Sequence, residues 1–259
     1  MSSRPRTNMS SPALARVVEL VVHRGTQRVL DGVSETLCQG EVVVIMGENG
    51  SGKTTLIEAF AGLIPLRSGD VIWAENGNSI VVRDSQGRRN QPPSMGLTLQ
   101  KGGVCGDETV MERISVSLSV AGIEHSDDQI MELLSLWGLE HRANDRLAHL
   151  SGGLSRRVAI LGGLAPAALS NSPLVVLLDE PSEGLDDSAK DILSSWIRSL
   201  SSRNHAILIA THDKDISSTA DRVLTISDGS IEEQIGKSLG DICDLPQSEE
   251  RGNKTPVSS

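Results

Sequence analysis

Residues 41–55 read EVVVIMGENGSGKTT, and this stretch decides the fold of the chain. Its first part, residues 42–46, is a continuous apolar run, typical of a strand buried on both faces. Its second part, residues 47–54, matches G-x-x-x-x-G-K-[S/T] at each fixed position. Residues 55–62 then have the pattern of a helix start. The order predicts a strand, a glycine-rich loop and a helix.

The glycine-rich loop, residues 47–54, is suited to hold phosphate, and we call it the phosphate loop. Its glycines allow a tight bend that points several backbone N–H groups at one anion, and the following helix N-terminus adds partial positive charge. The Lys53 ammonium is placed to bridge the β- and γ-phosphates of a nucleotide, and the Thr54 hydroxyl to bind Mg²⁺. The predicted nucleotide contacts are Gly47, Glu48, Asn49, Gly50, Ser51, Gly52, Lys53, Thr54 and Thr55.

Short apolar runs alternate with helical patterns along the chain. This alternation indicates an α/β fold with a mostly parallel sheet and helices on both faces. Residues 174–178 and 206–210 are apolar like the run before the phosphate loop, so they are predicted to be central strands. More peripheral strands are predicted at residues 17–22 and 223–226.

Two smaller units are predicted within this α/β core. A polar segment with turn signals on both sides is expected to form a short hairpin near residues 80–82. A helical subdomain is expected at about residues 104–161. Within it, Ser126 is suited to cap the start of a helix, and Gly138 to end that helix.

Composition sets bounds on the organisation and the function of the chain. We expect one domain over residues 13–235 between flexible tails at 1–12 and 236–259, which are rich in Ser, Pro, Gly and charge. The net charge of −10 works against nucleic-acid binding, and one Phe with no Tyr leaves little to stack on bases. No apolar run approaches the ~20 residues of a membrane span, so we expect no direct insertion. Three widely spaced cysteines argue against a disulfide framework and favour a reducing compartment.

Two adjacent carboxylates follow a predicted central strand. Residues 174–178 run directly into Asp179 and Glu180, at the carboxyl edge of the sheet, where open α/β sheets bind ligands. Asp179 is suited to hold Mg²⁺, and Glu180 to accept a proton from an attacking water. Such a pair is often only a solvated turn, but beside the phosphate loop it predicts hydrolysis of a nucleoside triphosphate.

A second glycine-rich turn precedes a helix elsewhere in the chain. Ser151, Gly152 and Gly153 lead into a helical run with cations on one side. The bare amides of a helix start bind anions, and the Ser151 hydroxyl adds a donor. An ordinary helix cap is the simpler interpretation. However, the phosphate loop and Asp179 can hold Mg-ATP by themselves, so this turn predicts a phosphate that belongs to another subunit.

The order of these motifs resembles the ABC ATPase family over about residues 17–233. The resemblance is carried by residues 47–54, Gln100, and residues 150–153, 177–181, 184–186 and 211–213. It implies a P-loop NTPase core with a mostly parallel sheet, an antiparallel β subdomain and an inserted helical subdomain. It also implies a head-to-tail dimer with two ATP molecules sandwiched at the interface.

In such a dimer, the resemblance assigns some residues to the interface. Ser151 and Gly153 of one subunit would contact the γ-phosphate held by Lys53 of the other. Asp186 would link the two sites across the interface. We call residues 150–153 the signature turn.

The resemblance also assigns the chemistry within each site. Gln100 would contact the metal and the attacking water, joining Thr54 and Asp179 as metal residues. Glu180 would be the catalytic base. His212 would hold the γ-phosphate and orient that base.

The chain departs from the family pattern at three places. Leu154 follows the signature glycines where Gln is usual; the amides and Ser151 remain, so activity is expected. The stretch that in the family carries an aromatic residue against adenine holds His23 and Arg24, and either side chain is a candidate to cover the base. Glu183 is an acid where the family usually has Ser, Thr or Asn.

The family couples ATP-driven dimer closure to work done elsewhere. We therefore expect the ATP-binding and hydrolysing subunit of a multi-chain transporter, a homodimer or a partner of a paired ABC subunit. It would be cytoplasmic and peripheral at the inner face of the cell membrane through a separate transmembrane subunit, docked near residues 100–112. Residues 24–25 and 69–73 are similar to haem exporter ATPases of cytochrome c maturation.

The alternative is a soluble ABC ATPase that acts in iron–sulfur assembly, or a regulatory binding module. ABC ATPases of DNA repair insert a long coiled coil between the phosphate loop and the signature turn. Only 98 residues separate Lys53 from Ser151, without heptads, so that class is excluded. The presence of Glu180 and His212 favours hydrolysis over an inert module.

Overall fold

The computed structural model describes residues 11–75, 77–100 and 106–234, and within them the chain forms ten strands and six α-helices. The strands are β1 Ala13–Arg24, β2 Gln27–Cys38, β3 Val42–Met46, β4 Ser68–Glu75, β5 Asn78–Asp84, β6 Met95–Thr98, β7 Val175–Asp179, β8 Ala206–Ala210, β9 Arg222–Ser227 and β10 Ser230–Gln234. The helices are α1 Lys53–Phe60, α2 Val110–Val120, α3 Asp127–Leu136, α4 Gly152–Leu169, α5 Asp187–Ser202 and α6 Lys214–Ser217.

Six strands form the main sheet, in the order β10-β9-β3-β8-β7-β6. The five strands from β9 to β6 pair in parallel, and β10 pairs antiparallel with β9. This arrangement confirms the predicted mostly parallel sheet. The predicted strands 42–46 and 206–210 match β3 and β8 at both ends. The prediction of 174–178 begins one residue before β7 and falls one residue short of its end, because the ladder continues until Asp179 pairs with Ala210.

A separate antiparallel sheet has the order β2-β1-β4-β5. Residues 17–22, predicted to be a peripheral strand, form the middle of the twelve-residue strand β1, which pairs with both β2 and β4. The hairpin predicted near residues 80–82 is formed by β4 and β5. The antiparallel β subdomain is therefore confirmed.

Side chains of β3 alternate between two hydrophobic cores on opposite faces of the main sheet. Val42 and Val44 belong to the core shared with α2, α3, α4 and α5. Val43 and Ile45 belong to the core shared with α1 and the antiparallel sheet. Because successive side chains of a strand point to opposite faces, a strand covered on both sides must be apolar throughout. This explains why the apolar runs of the sequence are uninterrupted.

The helical segment beside β6 contains α2, α3 and the start of α4. Ser126 caps α3 as predicted: its hydroxyl accepts from the Gln129 N–H at 3.3 Å, while the Gln129 side chain accepts from the Ser126 N–H at 2.9 Å. Gly138, with a φ of +65°, follows the end of this helix. Leu161, the expected end of the helical subdomain, lies within α4, which continues to Leu169.

Some predictions concern residues that the structure does not describe. Residues 1–10 and 236–259 of the two expected tails lie outside the described ranges, so their flexibility stays a prediction. Cys38 is disulfide-bonded, which the cysteine spacing did not predict, because spacing along the chain does not report distance in the fold. Cys105 and Cys243 lie outside the described residues. Across the described part of the chain, no helix combines the length and apolar character of a membrane span.

Loss of the cap of α3 should weaken the helical segment measurably. We expect Ser126→Ala to lower the free energy of unfolding by about 1 kcal/mol, because a helix-start N–H loses its acceptor. Urea denaturation checks this value. Ser119→Ala, an exposed position in α2, is the control and should be neutral or slightly stabilising, since Ala favours helix. Equal losses in both variants would contradict the capping role.

Candidate active site

Four parallel strands end at one edge of the main sheet and bring the predicted residues together. The phosphate loop follows β3 there. The other three strands bring four polar side chains to the same edge: Gln100 after β6, Asp179 and Glu180 at the end of β7, and His212 after β8. Neighbouring parallel strands share one carboxyl edge, so residues far apart in the chain become neighbours. This edge is the candidate site.

The phosphate loop encloses the ammonium of Lys53. This buried group donates hydrogen bonds to the carbonyls of Gly47 and Glu48, at 2.8 and 3.0 Å. A Cβ on Gly47 would lie 2.6 Å from the Ile226 carbonyl oxygen, and Gly52 has a φ of +115° directly before α1. Both positions therefore require glycine, which explains why the bend needs this spacing.

The rest of the phosphate loop presents polar groups of different exposure. Residues 48–50 form an exposed tip, and the Ser51 N–H closes a turn on the Glu48 carbonyl at 3.2 Å. The Ser51 hydroxyl is buried and has no hydrogen-bond partner among the described residues. Thr55 is buried in the first turn of α1. The unpaired hydroxyl is a polar group that an anion in the loop can satisfy.

Asp179 is the group best suited to hold a metal ion. It is fully buried, and both carboxylate oxygens lack a hydrogen-bond partner within the described ranges. Burial raises the pKa of Asp179; the Thr54 hydroxyl and the Gln100 backbone N–H lie near enough to offset part of that rise, although neither makes a well-formed hydrogen bond with it. A buried carboxylate without a partner is costly, and Mg²⁺ prefers such oxygen ligands. The residues present therefore fit Mg²⁺.

Glu180 is held in an unusual backbone conformation. It is buried and has a φ of +46°, which residues with a side chain rarely adopt. Its N–H donates to the Ala210 carbonyl at 2.8 Å, so the turn after β7 stays attached to β8. One carboxylate oxygen lies 3.0 Å from Nδ1 of His212. Strain of this kind accumulates at functional sites, where the surroundings hold it.

His212 lies on a turn that is anchored on both sides. Thr211 before it is fully buried, and its hydroxyl accepts from the Asp213 N–H at 3.1 Å. Asp213 also pairs with Lys190 of α5 at 3.1 Å. The His212 ring itself is exposed apart from its contact with Glu180. The turn thus fixes the backbone of His212 and leaves its ring open towards solvent.

Gln100 is brought to the site, but its side chain contacts an acid. Its side-chain amide donates to a carboxylate oxygen of Glu183 at 3.1 Å, and both residues are exposed. The metal and catalytic roles assigned to Gln100 stay predictions. Glu183 is one of the positions at which the chain departs from the family pattern. In the described structure, its carboxylate has the Gln100 side chain as a hydrogen-bond partner.

The signature turn lies at the start of α4. The Ser151 hydroxyl accepts from the Leu154 N–H at 3.4 Å, so Ser151 does cap the helix. Ser151, Gly152 and Gly153 are all exposed. The amides of the first turn therefore face solvent, as an anion site for a second subunit requires.

Asp186 caps the start of α5. One of its oxygens accepts from the Ala189 N–H at 2.9 Å, and the other is 2.6 Å from the guanidinium of Arg157 in α4. The hydrogen bond from the Ala189 N–H, followed by those from Ser188 and Arg157, lowers the pKa of Asp186 to about 2. Asp186 is therefore charged at neutral pH, and the predicted link across an interface stays a prediction.

Arg156 is a residue of the site that sequence reasoning did not single out. Its guanidinium reaches backbone carbonyls of the turns that carry Gln100 and Glu180. Helical periodicity places it one turn after Gly152, on the same face of α4. The carbonyl groups that it contacts come from two other strands, so no local pattern could reveal them.

The candidates for covering the nucleotide base differ in their surroundings. The Arg24 guanidinium pairs with the carboxylate of Glu58 in α1. His23 is exposed at the end of β1. A paired guanidinium keeps its flat faces available for stacking, so Arg24 is the better placed of the two.

Comparisons with known proteins agree with this geometry. A family model described as ABC transporter matches residues 30–183. The lipoprotein-releasing system ATP-binding protein LolD of Granulibacter bethesdensis is 32% identical over 228 residues, which cover 85% of this chain and 97% of LolD. The macrolide export ATP-binding/permease protein MacB of Psychrobacter cryohalolentis is 33% identical over 210 residues, or 80% of this chain. The chain spans only 30% of the length of that MacB.

Solved structures show the same fold. A dimeric structure of the bacterial ABC transporter cassette MJ0796 superposes with a TM-score of 0.72 at 23% identity, covering 86% of this chain and 100% of that chain. A structure of an ATP-binding subunit of an ABC transporter also gives a TM-score of 0.72, at 24% identity, covering 85% and 89%. The family model spans more than half of this chain, and the resemblance seen in the motifs is confirmed. The chain belongs to the ABC transporter family.

Proposed function

We propose that the chain is the ATP-binding and hydrolysing subunit of a multi-chain ABC transporter. It acts as a dimer at the inner face of the cell membrane, and a separate transmembrane subunit carries the cargo. The observation that carries this proposal is the exposure of Ser151, Gly152 and Gly153 at the start of α4, in a chain whose sheet edge brings together the phosphate loop and three further predicted site residues, Asp179, Glu180 and His212. The match over 97% of the length of LolD, named as the ATP-binding protein of a lipoprotein-releasing system, supports the ATP-binding role.

Dimer formation follows from where the anion-binding groups lie. The Lys53 ammonium and the phosphate loop form one half of a site, and the exposed N-terminus of α4 provides amides of the second kind. A triphosphate bound between two copies satisfies both halves. Its negative charge compensates the amide dipoles of one subunit and the ammonium of the other, so binding favours closure.

Within one site, the residues divide the chemistry. Lys53 and the phosphate-loop amides bind the phosphates, while Thr54 and Asp179 would hold Mg²⁺. When bound, that ion neutralises charge on the phosphate oxygens. Glu180 accepts a proton from the attacking water at its carboxylate. The Nδ1 of His212, 3.0 Å from that carboxylate, fixes its direction.

The partner decides between transport and the alternatives. Co-purification of a multi-span membrane protein with the tagged full chain supports the transporter subunit. Recovery of a soluble partner alone supports an assembly ATPase of the iron–sulfur type. The contact between Glu180 and His212 argues against an inert binding module, because such a module has no use for an oriented base.

Removal of the Lys53 charge should abolish nucleotide binding. We expect Lys53→Ala to raise the Kd for ATP at least ~100-fold, since a buried ammonium contributes several kcal/mol to holding the phosphates. Isothermal titration calorimetry measures this change. Arg198→Ala, which removes an exposed cation from α5, is the control and should leave the Kd unchanged. Unchanged affinity in Lys53→Ala would refute the role of the phosphate loop.

Removal of the catalytic base, Glu180, should trap the ATP-bound dimer. We expect Glu180→Gln to bind Mg-ATP but not hydrolyse it, so that size-exclusion chromatography shows a stable dimer with ATP and a monomer without it. The variant carrying both Glu180→Gln and Lys53→Ala is the control and should stay monomeric with ATP. A Glu180→Gln protein that remains monomeric in Mg-ATP would count against the sandwich dimer.

The adenine or guanine base of the nucleotide should be held by stacking, with little selectivity between the two. We expect Arg24→Ala to raise the Kd for ATP and for GTP by a similar factor of about five to ten, because stacking acts on the face of any base. His23→Ala should have the smaller effect, since its side chain is exposed. Competition binding with both nucleotides checks the two variants. A loss confined to ATP would instead indicate a group that recognises the edge of adenine.

A further inference from the structure

We propose that Arg156 is a positioning residue for hydrolysis, and that Glu183 supports the same two loops. This inference rests on the proposed function, because it concerns the same site. In this arrangement one guanidinium ties the first turns of α4, which carry the signature turn, to both loops of the hydrolytic site. Arg156 acts on Glu180 and Gln100 through their backbone carbonyls, whereas Glu183 contacts the Gln100 side chain directly.

The contacts of Arg156 reach two separate loops. One terminal nitrogen donates to the carbonyls of Leu99 and Gln100, both at 3.4 Å. The other donates to the carbonyls of Asp179 at 3.3 Å and of Glu180 at 2.6 Å. The planar guanidinium fits this task because its donors lie in a fixed fork, which an ammonium group does not provide.

The contact with Glu180 acts on the strained part of the site. Glu180 has a φ of +46°, a conformation that must be held by its surroundings. Its carbonyl receives the shortest contact of the Arg156 guanidinium, and also accepts from the Glu183 N–H at 3.2 Å. Loss of Arg156 would therefore release the backbone that sets the direction of the Glu180 carboxylate.

The burial of Arg156 indicates a specific role. The side chain is partly buried, and its Nε lacks a hydrogen-bond partner among the described residues. This burial lowers the pKa of Arg156, and the carboxylates of Glu183, Asp179 and Glu180 act in the opposite direction, that of Glu183 most strongly. The backbone carbonyls that it contacts offset part of the cost of removing this cation from water.

Glu183 contacts the same two loops as Arg156. Its carboxylate accepts from the Gln100 side chain at 3.1 Å, and its N–H donates to the Glu180 carbonyl at 3.2 Å. The acid that departs from the family pattern therefore joins the turn of Glu180 to the side chain of Gln100.

The test is a kinetic comparison of variants of the full chain. We expect Arg156→Gln to lower kcat at least ~10-fold, because small misplacement of catalytic groups has large effects on rate. The Kd for ATP should stay within about threefold, since the phosphate loop is untouched. Arg156→Lys keeps the charge and should recover part of kcat. Glu183→Gln should lower kcat less than Arg156→Gln, because that variant keeps the N–H that donates to the Glu180 carbonyl.

Arg203→Gln is the matched control. Arg203, directly after α5, also donates to two backbone carbonyls, of Ala168 at 2.7 Å and Ser170 at 3.0 Å, and it lies away from the site. Loss of the Arg203 guanidinium should lower the melting temperature but leave kcat unchanged. A trapped dimer should still form when Arg156→Gln is combined with Glu180→Gln, because Arg156 positions the base and does not build the interface.

The outcomes separate this inference from the proposed function. If the wild-type chain does not hydrolyse ATP, the proposed function fails. If it does, a kcat within twofold of wild type for Arg156→Gln overturns the role of Arg156. An equal loss of kcat in Arg203→Gln, or a loss in Arg156→Gln that appears only in the Kd for ATP, overturns it as well.

Discussion

The parallel pairing of β3, β6, β7 and β8 is the constraint on which the site depends. Each of these strands ends at the same edge of the sheet, so the residues that follow the strands all lie at that edge. Residues separated by more than a hundred positions in the chain, such as Lys53 and Asp179, meet there without any local signal that connects them. The two hydrophobic cores that cover the faces of the sheet hold the four strand ends in register.

The site gathers several unfavourable features that the surrounding fold sustains. Asp179 is fully buried with both oxygens unpaired within the described residues, and Glu180 has a left-handed backbone. Burial disfavours the charged form of Asp179, and strain disfavours the conformation of Glu180. A bound metal would relieve the first. The second is met by contacts from two parts of the chain: β8 with the following His212, and Arg156 of α4.

Elements governed by local rules could be predicted from the sequence. The bounds of β3 follow from an apolar run that ends in glycine, and the start of α3 follows from Ser126 and its acceptor role. In the phosphate loop, the four residues between Gly47 and Gly52 likewise predict the bend that places Lys53 against the loop. The end of β7 was missed by one residue, since apolar character stops before the hydrogen-bonded ladder does. The disulfide at Cys38 was missed because it depends on distance in space.

The sequence by itself determined the family, the parallel sheet and the residues that meet phosphate, because each depends on spacing within one strand, loop or helix start. Only the tertiary structure decided which side chains contact one another at the sheet edge. Gln100 against Glu183, Arg24 against Glu58, and Arg156 against four carbonyl groups each join segments far apart in the chain. Such contacts depend on the relative placement of whole elements, and hydrophobic packing sets that placement without leaving a periodic pattern.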